Sequence, residues 1–323
     1  MEKHTDLPRE IGGYMELERF GGSLLHDGAL ALNSGRACLA YLIEQRQIRK
    51  IVLPSFLCDA VRRVCLDRGV EIRSYAVGYD FLPRNISCGE DEWLYVVNYY
   101  GQLTQEVLHS LSENFPRLIV DNAQAYFAPA VEGVDTIYTC RKFFGVADGA
   151  FLYTDADPAE LQRDESFDRM DFVLGRFERP AGEFYAQAAG NNDRPSFDTP
   201  RYMSALTENL LRAIDYDSVK ARRTENFALL HSRLGAMNQL ALRPIAGAFA
   251  YPLMLDAAPA LRKGLIERKI FVPTLWPNVL KEQQPGTTKY RLANNILPLP
   301  CDQRYGPEDM ELIIQAVLDL NAG

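Results

Sequence analysis

The sequence predicts an α/β protein in which helices flank a mostly parallel sheet. Three observations lead to this fold class. Between about residue 30 and residue 155, short apolar runs alternate with helix-length patterns, which is typical of crossovers between parallel strands. The apolar runs are continuous, as expected for strands that are covered on both faces. After about residue 245, short elements follow one another in a mixed α+β pattern.

The elements of the first half begin with a helix over residues 34–47, which is apolar on nearly every face and is therefore expected to be buried. The helical spacing of Leu57, Val61 and Cys65 indicates a second helix. Thr104 can cap a third. We predict strands at six runs: 50–53, 70–77, 93–100, 117–121, 136–140 and 150–154.

The second half is less regular. Residues 155–200 are charged and contain Gly, Asn and Pro clusters, so we expect short helices in an excursion over a surface or a partner. We place a domain boundary at residue 215, between a large domain (1–215) and a small α+β domain (216–323). The first 20 or so residues are expected to pack on the small domain. The remaining predictions are helices at 203–214, 218–234 and 258–268, extended pieces at 248–255, 270–275 and 290–299, and a final helix with Pro307 in its first turn.

Composition excludes several classes of protein. The 323 residues include 43 acidic and 35 basic ones, for a formal charge of −8, which disfavours nucleic-acid and anionic-membrane partners. No apolar run approaches the length of a membrane span or a signal peptide. The six cysteines form no CxxC, and the four histidines show no zinc spacing. We therefore expect a cytoplasmic protein that binds no metal.

The first chemical feature is Asn33-Ser34-Gly35-Arg36, which opens the first helix. A Ser-Gly turn at a helix start presents free backbone N–H groups and the positive end of the helix dipole, which suits a phosphate. Alternatively, Ser34 is simply an N-cap and Gly35 a turn residue.

The second feature is Asp121, at the carboxyl end of the strand 117–121 and directly before Asn122-Ala123-Gln124. Ligands of open α/β sheets bind outside the carboxyl ends of the strands. A carboxylate there can meet a cationic group of a ligand. Alternatively, Asp121 caps a helix or ends a loop.

The third feature is Lys142, which follows the strand 136–140 and precedes Phe143, Phe144 and Gly145. An amine in such surroundings is expected to be partly desolvated, which disfavours the ammonium form. Lysines that form Schiff bases need the neutral amine. Alternatively, Lys142 is a surface lysine in a hairpin loop.

Together the three features match the requirements of pyridoxal 5′-phosphate. A lysine binds the aldehyde of this cofactor, a carboxylate keeps its pyridine nitrogen protonated, and a helix start holds its phosphate. The protein supplies orientation and electrostatics, and the cofactor supplies the chemistry. Lys142 is the one lysine of eight that lies between a strand end and aromatic residues.

Six segments stand in the order and spacing of a known family: Ser34-Gly35-Arg36-Ala37-Cys38-Leu39, Val52-Leu53-Pro54-Ser55-Phe56, residues 96–101, Asp121-Asn122-Ala123-Gln124, Lys142 with Asp148-Gly149-Ala150, and Ile296-Leu297-Pro298-Leu299-Pro300. With them the chain resembles the fold-type I pyridoxal-phosphate enzymes and, more narrowly, the DegT/StrS family of nucleotide-sugar aminotransferases. The resemblance runs from about residue 30 to the end. It implies a large domain with a sheet of the seven-stranded type and a smaller C-terminal domain.

The resemblance also implies roles for single residues. Lys142 would form the Schiff base and carry the proton between substrate carbon and cofactor. Asp121 would pair with the pyridine nitrogen, and Gln124 would contact the ring face or the 3-hydroxyl. The phosphate would be held by four residues: Ser34, Gly35, Arg36 and Thr139.

The sequence departs from the family pattern at three places. The segment before Lys142 is two residues shorter, so Thr139 and Cys140 compete for the phosphate-binding role. Cys58 stands where the family has an aromatic residue that stacks on the cofactor, so either Phe56 stacks instead or nothing does. The family's Asn-Tyr-Arg-Met element, which reaches a neighbouring subunit, is reduced to residues 200–204.

The resemblance implies an aminotransferase that moves nitrogen from an amino acid such as glutamate to a nucleotide-linked keto-sugar, in polysaccharide or secondary-metabolite assembly, and that acts as a homodimer. Retention of Lys142 argues for transamination, because some relatives with histidine there perform dehydration. A second hypothesis is another pyridoxal-phosphate reaction, a lyase or racemase, with Arg201 or Arg291 gripping an α-carboxylate. A third is a catalytically silent relative that acts as a binding partner.

Overall fold

The computed structural model describes residues 11–282 and 285–322. Its central feature is an eight-stranded sheet in the order β1-β8-β7-β6-β5-β2-β3-β4. The five inner strands β7, β6, β5, β2 and β3 are parallel, and the outer pairs β7–β8, β8–β1 and β3–β4 are antiparallel. The predicted α/β class with a mostly parallel sheet is therefore confirmed.

The bounds of the elements are as follows. The strands are β1 (Leu30–Leu32), β2 (Lys50–Pro54), β3 (Glu71–Val77), β4 (Pro83–Arg84), β5 (Trp93–Val97), β6 (Leu118–Asp121), β7 (Asp135–Thr139), β8 (Ala150–Tyr153), β9 (Tyr251–Met254) and β10 (Ile296–Leu299). The helices are α1 (Gly35–Gln45), α2 (Asp59–Asp67), α3 (Gln105–Asn114), α4 (Asp171–Glu178), α5 (Tyr185–Asn192), α6 (Ala205–Leu211), α7 (Tyr216–Leu234), α8 (Ala258–Glu267), α9 (Pro277–Glu282), α10 (Thr288–Asn295) and α11 (Pro307–Ala322).

The strand order contains a switch point between β2 and β5. From β2 the chain moves outward to β3 and then returns to the other side of β2 with β5, β6 and β7. In open α/β sheets, ligands bind at the carboxyl ends of the strands beside such a point. The fold therefore directs attention to the loops that follow β2, β5, β6 and β7.

Four differences from the sequence-based prediction concern short or irregular segments. The strand β1 was not predicted because three residues give no periodic signal. The predicted strand 93–100 ends at Val97, and Tyr99–Gly101 forms a 3₁₀ turn in which Tyr100 has a φ of 52°. Residues 290–295, predicted as extended, belong to helix α10, because the Thr287 side chain accepts a hydrogen bond from the N–H of Tyr290 and caps it. The predicted extended piece 270–275 forms no strand.

A second, two-stranded sheet of β9 and β10 lies in the C-terminal part. It packs with α7, α8 and α11 around its own apolar core. The predicted stripe of the final helix is buried there: Met310, Ile313, Ile314 and Val317. The division at residue 215 stays a prediction, although Asp215 does cap the long helix α7.

The N-terminal segment contacts helix α6 where the structure describes it. The N–H of Phe20 donates to Asn209, and Arg212 donates to the carbonyl of Gly22. Residues 1–10, part of the segment predicted to pack on the small domain, lie outside the described residues. Within the described ranges, no helix combines the length and apolar character needed to cross a lipid bilayer.

Candidate active site

The start of helix α1 lies beside the carboxyl ends of the inner strands and is organised by Ser34. The Ser34 hydroxyl accepts from the N–H of Ala37 at 3.0 Å and donates to the carbonyl of Phe197 at 2.6 Å. Ser34 is therefore an N-cap whose hydroxyl already has two partners. The N–H groups of Gly35 and Arg36 have no partner in the described part of the chain, as expected for a helix start. They are the groups that could receive an anion.

The side chain of Arg36 points away from those amides. Its guanidinium pairs with Asp198 at 3.1 Å and donates to the carbonyls of Asn192 and Arg194. It also lies 5.6 Å from the centre of the Phe197 ring. In this arrangement only the backbone of Arg36 is available to a phosphate.

The Thr139 side chain lies against the start of α1. A Cβ placed on Gly35 would come within 2.7 Å of the Thr139 methyl group, so the two residues are in close contact and no larger residue fits at position 35 without a shift. Cys140 is fully buried, and its sulfur faces Gly149. Strand alternation thus directs the two side chains to opposite sides, and of these two residues Thr139 is the one beside the helix start.

Asp121 ends strand β6 and is 8% exposed. One carboxylate oxygen accepts from the Tyr95 hydroxyl at 2.8 Å, and the other accepts from the N–H of Ala123 at 2.8 Å. Asp121 forms no ion pair with any residue in the described ranges. A buried carboxylate is ordinarily paired with a cation. Asp121 can therefore form an ion pair with a cationic group of a ligand.

Gln124 is fixed by its side-chain oxygen, which accepts from the N–H of Tyr100 at 2.9 Å. This bond ties the residues after β6 to the turn after β5. Asn98 reinforces the connection, because it donates to Asn122 and accepts from the N–H of Leu103. We call residues 121–124 the carboxylate loop; its polar contacts come from neighbouring parallel strands.

Phe56 does not face the site. Its side chain has no exposed area, since it packs against Tyr99 and Trp276 with ring centres 5.2 and 4.4 Å apart. The sequence left two alternatives open, that Phe56 stacks on a cofactor or that nothing does. Tyr99 and Trp276 pack against the ring here, and the role of Phe56 stays a prediction.

Cys58, two residues further on, is half-buried at the start of α2. Burial raises the pKa of its thiol, the positive charge of Lys142 opposes that rise, and the charge of Asp121 adds to it. The thiol therefore lies within electrostatic reach of both Lys142 and Asp121. Lys142 and Asp121 thus share one neighbour within electrostatic reach, the Cys58 thiol.

Lys142 stands in a turn just beyond β7 and is exposed. Its amine lies 6.0 Å from the centre of the Phe249 ring. The predicted partial desolvation is absent in the single chain, because the Lys142 side chain is exposed to solvent. Neither Arg201, which lies near Asp164, nor Arg291, which pairs with Asp256, has a described contact with Lys142.

We call residues 140–149 the lysine turn, and distant residues hold its far end. The buried carboxylate of Asp148 accepts from the N–H and the hydroxyl of Ser204, at 2.8 and 2.7 Å, and from the hydroxyl of Thr207. The N–H of Gly149 donates to the carbonyl of Asn33 at 2.7 Å. This last bond joins the lysine turn to the start of α1, which also contacts Thr139 at the end of β7.

Sequence reasoning missed three residues of this site: Tyr95, Phe249 and Asp148 in its anchoring role. Tyr95 precedes Val97 by two positions, and Val97 pairs with Asp121 in the sheet. The period of two in a strand therefore placed Tyr95 on the face of Asp121, a signal that was available. Phe249 carried no such signal, because it reaches the site from the C-terminal part of the chain.

The arrangement combines an exposed amine with a buried carboxylate and two helix-start amides. Within the residues that the structure describes, the carboxylate has no ion-pair partner and the two amides have no hydrogen-bond partner. An amine can attack a carbonyl group, a carboxylate can hold a proton on a ring nitrogen, and helix amides can bind a phosphate. The residues present therefore fit pyridoxal 5′-phosphate. The pyridinium nitrogen of this cofactor would supply the positive charge that the buried Asp121 carboxylate could pair with.

The fold of the chain is similar to that of several aminotransferases of known structure. Three solved structures illustrate the likeness. DesV of S. venezuelae, solved in complex with a ketimine intermediate, is 18% identical and has a TM-score of 0.64, over 90% of this chain and 84% of that one. The sugar aminotransferase CalS13 from Micromonospora echinospora is 16% identical, with a TM-score of 0.63 over 90% and 87% of the two chains.

The third structure is PseC of Helicobacter pylori, an aminotransferase involved in the biosynthesis of pseudoaminic acid. It is 13% identical, with a TM-score of 0.61 over 90% of this chain and 86% of that one. No protein-family model and no curated protein matches the sequence. At these identities the comparisons establish the fold of the chain.

Proposed function

We propose that the protein is a pyridoxal-phosphate-dependent aminotransferase of the DegT/StrS type. The observation that carries the proposal is Asp121, a buried carboxylate that forms no ion pair in the described ranges. It ends β6 beside β7, and Lys142 follows β7 in the chain. A fold shared with sugar aminotransferases supports the assignment. When bound, the cofactor would supply an electron sink for the substrate's reacting carbon.

The phosphate would be held at the start of α1. The N–H groups of Gly35 and Arg36 have no partner among the described residues, and the helix dipole favours a negative charge. Ser34 would act indirectly by capping the helix, and Thr139, in contact with Gly35, would add its hydroxyl. Absence of a side chain on Gly35 keeps the approach to the amides open.

The carboxylate loop would orient the ring. Asp121 would hold the proton on the pyridine nitrogen, and its two bonds from Tyr95 and Ala123 fix the carboxylate before the ring arrives. Such preorganised charge needs no rearrangement during the reaction. Gln124 would face the ring or its 3-hydroxyl through its amide nitrogen, because its oxygen is already bonded to Tyr100.

Lys142 would bind the cofactor and then act as the acid–base. After the amino donor displaced Lys142 from the cofactor, the free lysine nitrogen would accept the proton from the donor's α-carbon. The same nitrogen would then deliver that proton to the cofactor. An exposed amine on a short turn has the freedom that this movement requires. The donor would be an amino acid such as glutamate, and the acceptor a nucleotide-linked keto-sugar used in polysaccharide or secondary-metabolite assembly.

We further propose a homodimer that acts in the cytoplasm. The excursion 155–200 exposes large apolar side chains: Phe167, Leu174, Phe177 and Tyr185. A partner that covered them could also shield the exposed Lys142. The cytoplasmic location is supported by the cysteines, all six of which are free. Sedimentation at micromolar concentration tests the dimer, and a monomer would contradict it.

The proposal is tested by adding pyridoxal 5′-phosphate to the purified chain. We expect a visible absorption band, and borohydride should then fix the cofactor covalently to Lys142, as mapped by mass spectrometry. Lys142→Ala should lose both signals. The matched control is Lys50→Ala, which removes a lysine that pairs with Asp91 at the start of β2, and it should keep both. A chain that stays colourless and unlabelled would overturn the proposal.

Glutamate then separates the reaction types. An aminotransferase converts the bound cofactor to its amine form and releases 2-oxoglutarate, whereas a lyase or a racemase does not accumulate that form. Keto-sugar nucleotides should restore the original spectrum. A chain that binds the cofactor but turns over no amino donor would favour the catalytically silent relative.

A further inference from the structure

Arg223 on helix α7 is among the most deeply buried charged side chains, with 2% of its surface exposed. Its guanidinium donates to the carbonyl of Phe143 at 3.1 Å, to the carbonyl of Ala248 at 2.9 Å and to the side-chain oxygen of Gln303 at 2.7 Å. None of these acceptors carries a charge. Burying a guanidinium costs free energy unless its donors are satisfied, and here they bond to backbone carbonyls and to the Gln303 side chain.

The carbonyl of Phe143 receives a second bond. The side-chain nitrogen of Gln303 donates to it at 2.8 Å, while the Gln303 oxygen accepts from Arg223. The guanidinium also lies 4.6 Å from the centre of the Phe143 ring. Phe143 is the residue directly after Lys142, so this three-residue clamp holds the lysine turn from the C-terminal part of the chain.

The same guanidinium fixes the surface beneath the lysine amine. It lies 3.5 Å from the carbonyl of Phe249, and the Phe249 ring is the one over which the Lys142 amine sits. The rings of Phe143 and Phe249 are 6.0 Å apart. One side chain thus positions both the backbone next to Lys142 and the ring that the amine contacts.

We propose that Arg223, together with Gln303, is a positioning residue that sets the place of Lys142 through the carbonyl of Phe143. The inference rests on the proposed function for the meaning of Lys142, but the clamp itself is a property of the chain without cofactor. It also couples the C-terminal part to the reactive amine: a movement of α7 or of the loop around residue 303 would move the lysine turn.

Arginine suits this place better than a neutral residue. Its planar fork reaches several carbonyls at once with little loss of side-chain entropy per bond. A methionine of similar length would leave the carbonyl of Phe143 with Gln303 alone. A lysine would keep the charge and at most part of the bonding, so it should restore part of the effect.

Hydrogen exchange of the cofactor-free chain tests the clamp. The N–H groups of Phe143 and Phe144 both donate to the carbonyl of Cys140 at 2.9 Å, so their exchange reports opening of the lysine turn. We expect Arg223→Met to speed their exchange about tenfold while the carboxylate loop stays unchanged. Arg223→Lys should recover part of the protection, and the milder Gln303→Ala should give a smaller rise of the same pattern.

The matched control is Arg262→Met. Arg262 is a partly buried arginine that donates to the carbonyls of Asn294 and Ile296, away from the lysine turn. It should leave exchange at Phe143 and Phe144 unchanged. If Arg223→Met and Gln303→Ala both stay within about twofold of the native chain there, or if exchange rises equally in every segment, the clamp is overturned.

Cofactor binding gives a second readout that separates the two proposals. Arg223→Met should weaken pyridoxal 5′-phosphate capture at Lys142 about tenfold, and Arg223→Lys should recover part of it. If the native chain captures no cofactor, the proposed function fails while the exchange result still decides the clamp. If capture is unaltered in Arg223→Met, the positioning role is overturned and the proposed function stands.

Discussion

The carboxylate loop and the lysine turn meet at one edge of the sheet, yet different parts of the chain hold them. Asp121 and Gln124 bond to Tyr95 and Tyr100, which lie on or directly after the adjacent strand β5. The lysine turn is held instead from α5, α6, α7 and the loop after β10, through contacts that span 44 to 160 residues.

This difference suggests a division of labour. A carboxylate that must keep a proton on a ligand's ring nitrogen gains from a fixed position. The sheet fixes Asp121 through contacts with the adjacent strand. A lysine that must bind, leave and return needs a turn that can be adjusted from outside. The stability of the first region should therefore be set by the sheet, and that of the second by the C-terminal part and the excursion 155–200.

The largest expected effect comes from Asp121→Asn. An amide cannot hold a proton on a ring nitrogen by charge, so the rate of the glutamate half-reaction should fall about 10³-fold, equal to about 4 kcal/mol of barrier. Single-turnover absorbance measures it. The control is Asp135→Asn. Asp135 lies at the amino end of β7, away from the carboxyl ends of the strands, and pairs with Arg46. A loss below about tenfold in Asp121→Asn would contradict the role.

Asp148→Ala tests the external support of the lysine turn. It leaves the hydroxyls of Ser204 and Thr207 and one N–H without their acceptor in a fully buried place. We expect the free energy of unfolding to fall by about 3 kcal/mol in urea titrations. Thr207→Val, which removes one bond, should cost about 1 kcal/mol. Equal costs for both would mean that Asp148 does not organise the group.

His26 gives a pH-dependent prediction for the segment that follows the carboxylate loop, because its ring contacts Tyr126. Its ring donates from Nε2 to the carbonyl of Tyr126 and accepts at Nδ1 from the Tyr153 hydroxyl. Burial lowers its pKa from 6.5 to about 4, and the bond to Tyr126 only partly opposes this. Below about pH 6.5 the unfolded chain takes up a proton that the folded chain refuses, so stability falls as pH drops towards 4.

The expected loss from this one residue between about pH 7.5 and about pH 5 is about 2 kcal/mol. Urea titrations of the native chain and of His26→Gln at the two pH values isolate it, because the other groups titrate in both. His26→Gln should show a fall smaller by that amount. An identical fall in both chains would show that His26 is not the responsible group.

The smallest effect is expected from Gly35→Ala. The new methyl group would meet the Thr139 methyl at 2.7 Å, so a side chain beside the amides must shift. We expect about fivefold weaker binding of pyridoxal 5′-phosphate, equal to about 1 kcal/mol. Gly190→Ala on α5, where a Cβ meets nothing within 4 Å, is the control. Unchanged affinity in Gly35→Ala would place the phosphate elsewhere.

Much of the local structure could be predicted because its causes are local. The continuous apolar run before Asp121 is a buried strand of the sheet, the Ser34 hydroxyl caps a helix, and Thr104 caps another. The apolar stripe that begins at Met310 is buried on the final helix. Periodicity and capping are encoded within a few residues, so they survive in any fold that uses the segment.

Predictions that depended on distant neighbours were less successful. Phe56 looked available for stacking, but Trp276 packs on it. Lys142 looked desolvated by its adjacent phenylalanines, but its side chain is exposed. Arg223 stands in a charged helix with nothing in its local pattern to distinguish it from Arg222, which is exposed enough to pair with Glu225 on the surface.

The sequence by itself determined the sheet, its flanking helices and the three features that suggested a cofactor, because hydrophobic period, caps and strand ends are short-range properties. Only the tertiary structure decided which side chains are buried or exposed and which distant residues form hydrogen bonds with the lysine turn. Those outcomes depend on packing between segments up to 160 residues apart, and such contacts leave no periodic trace in the chain.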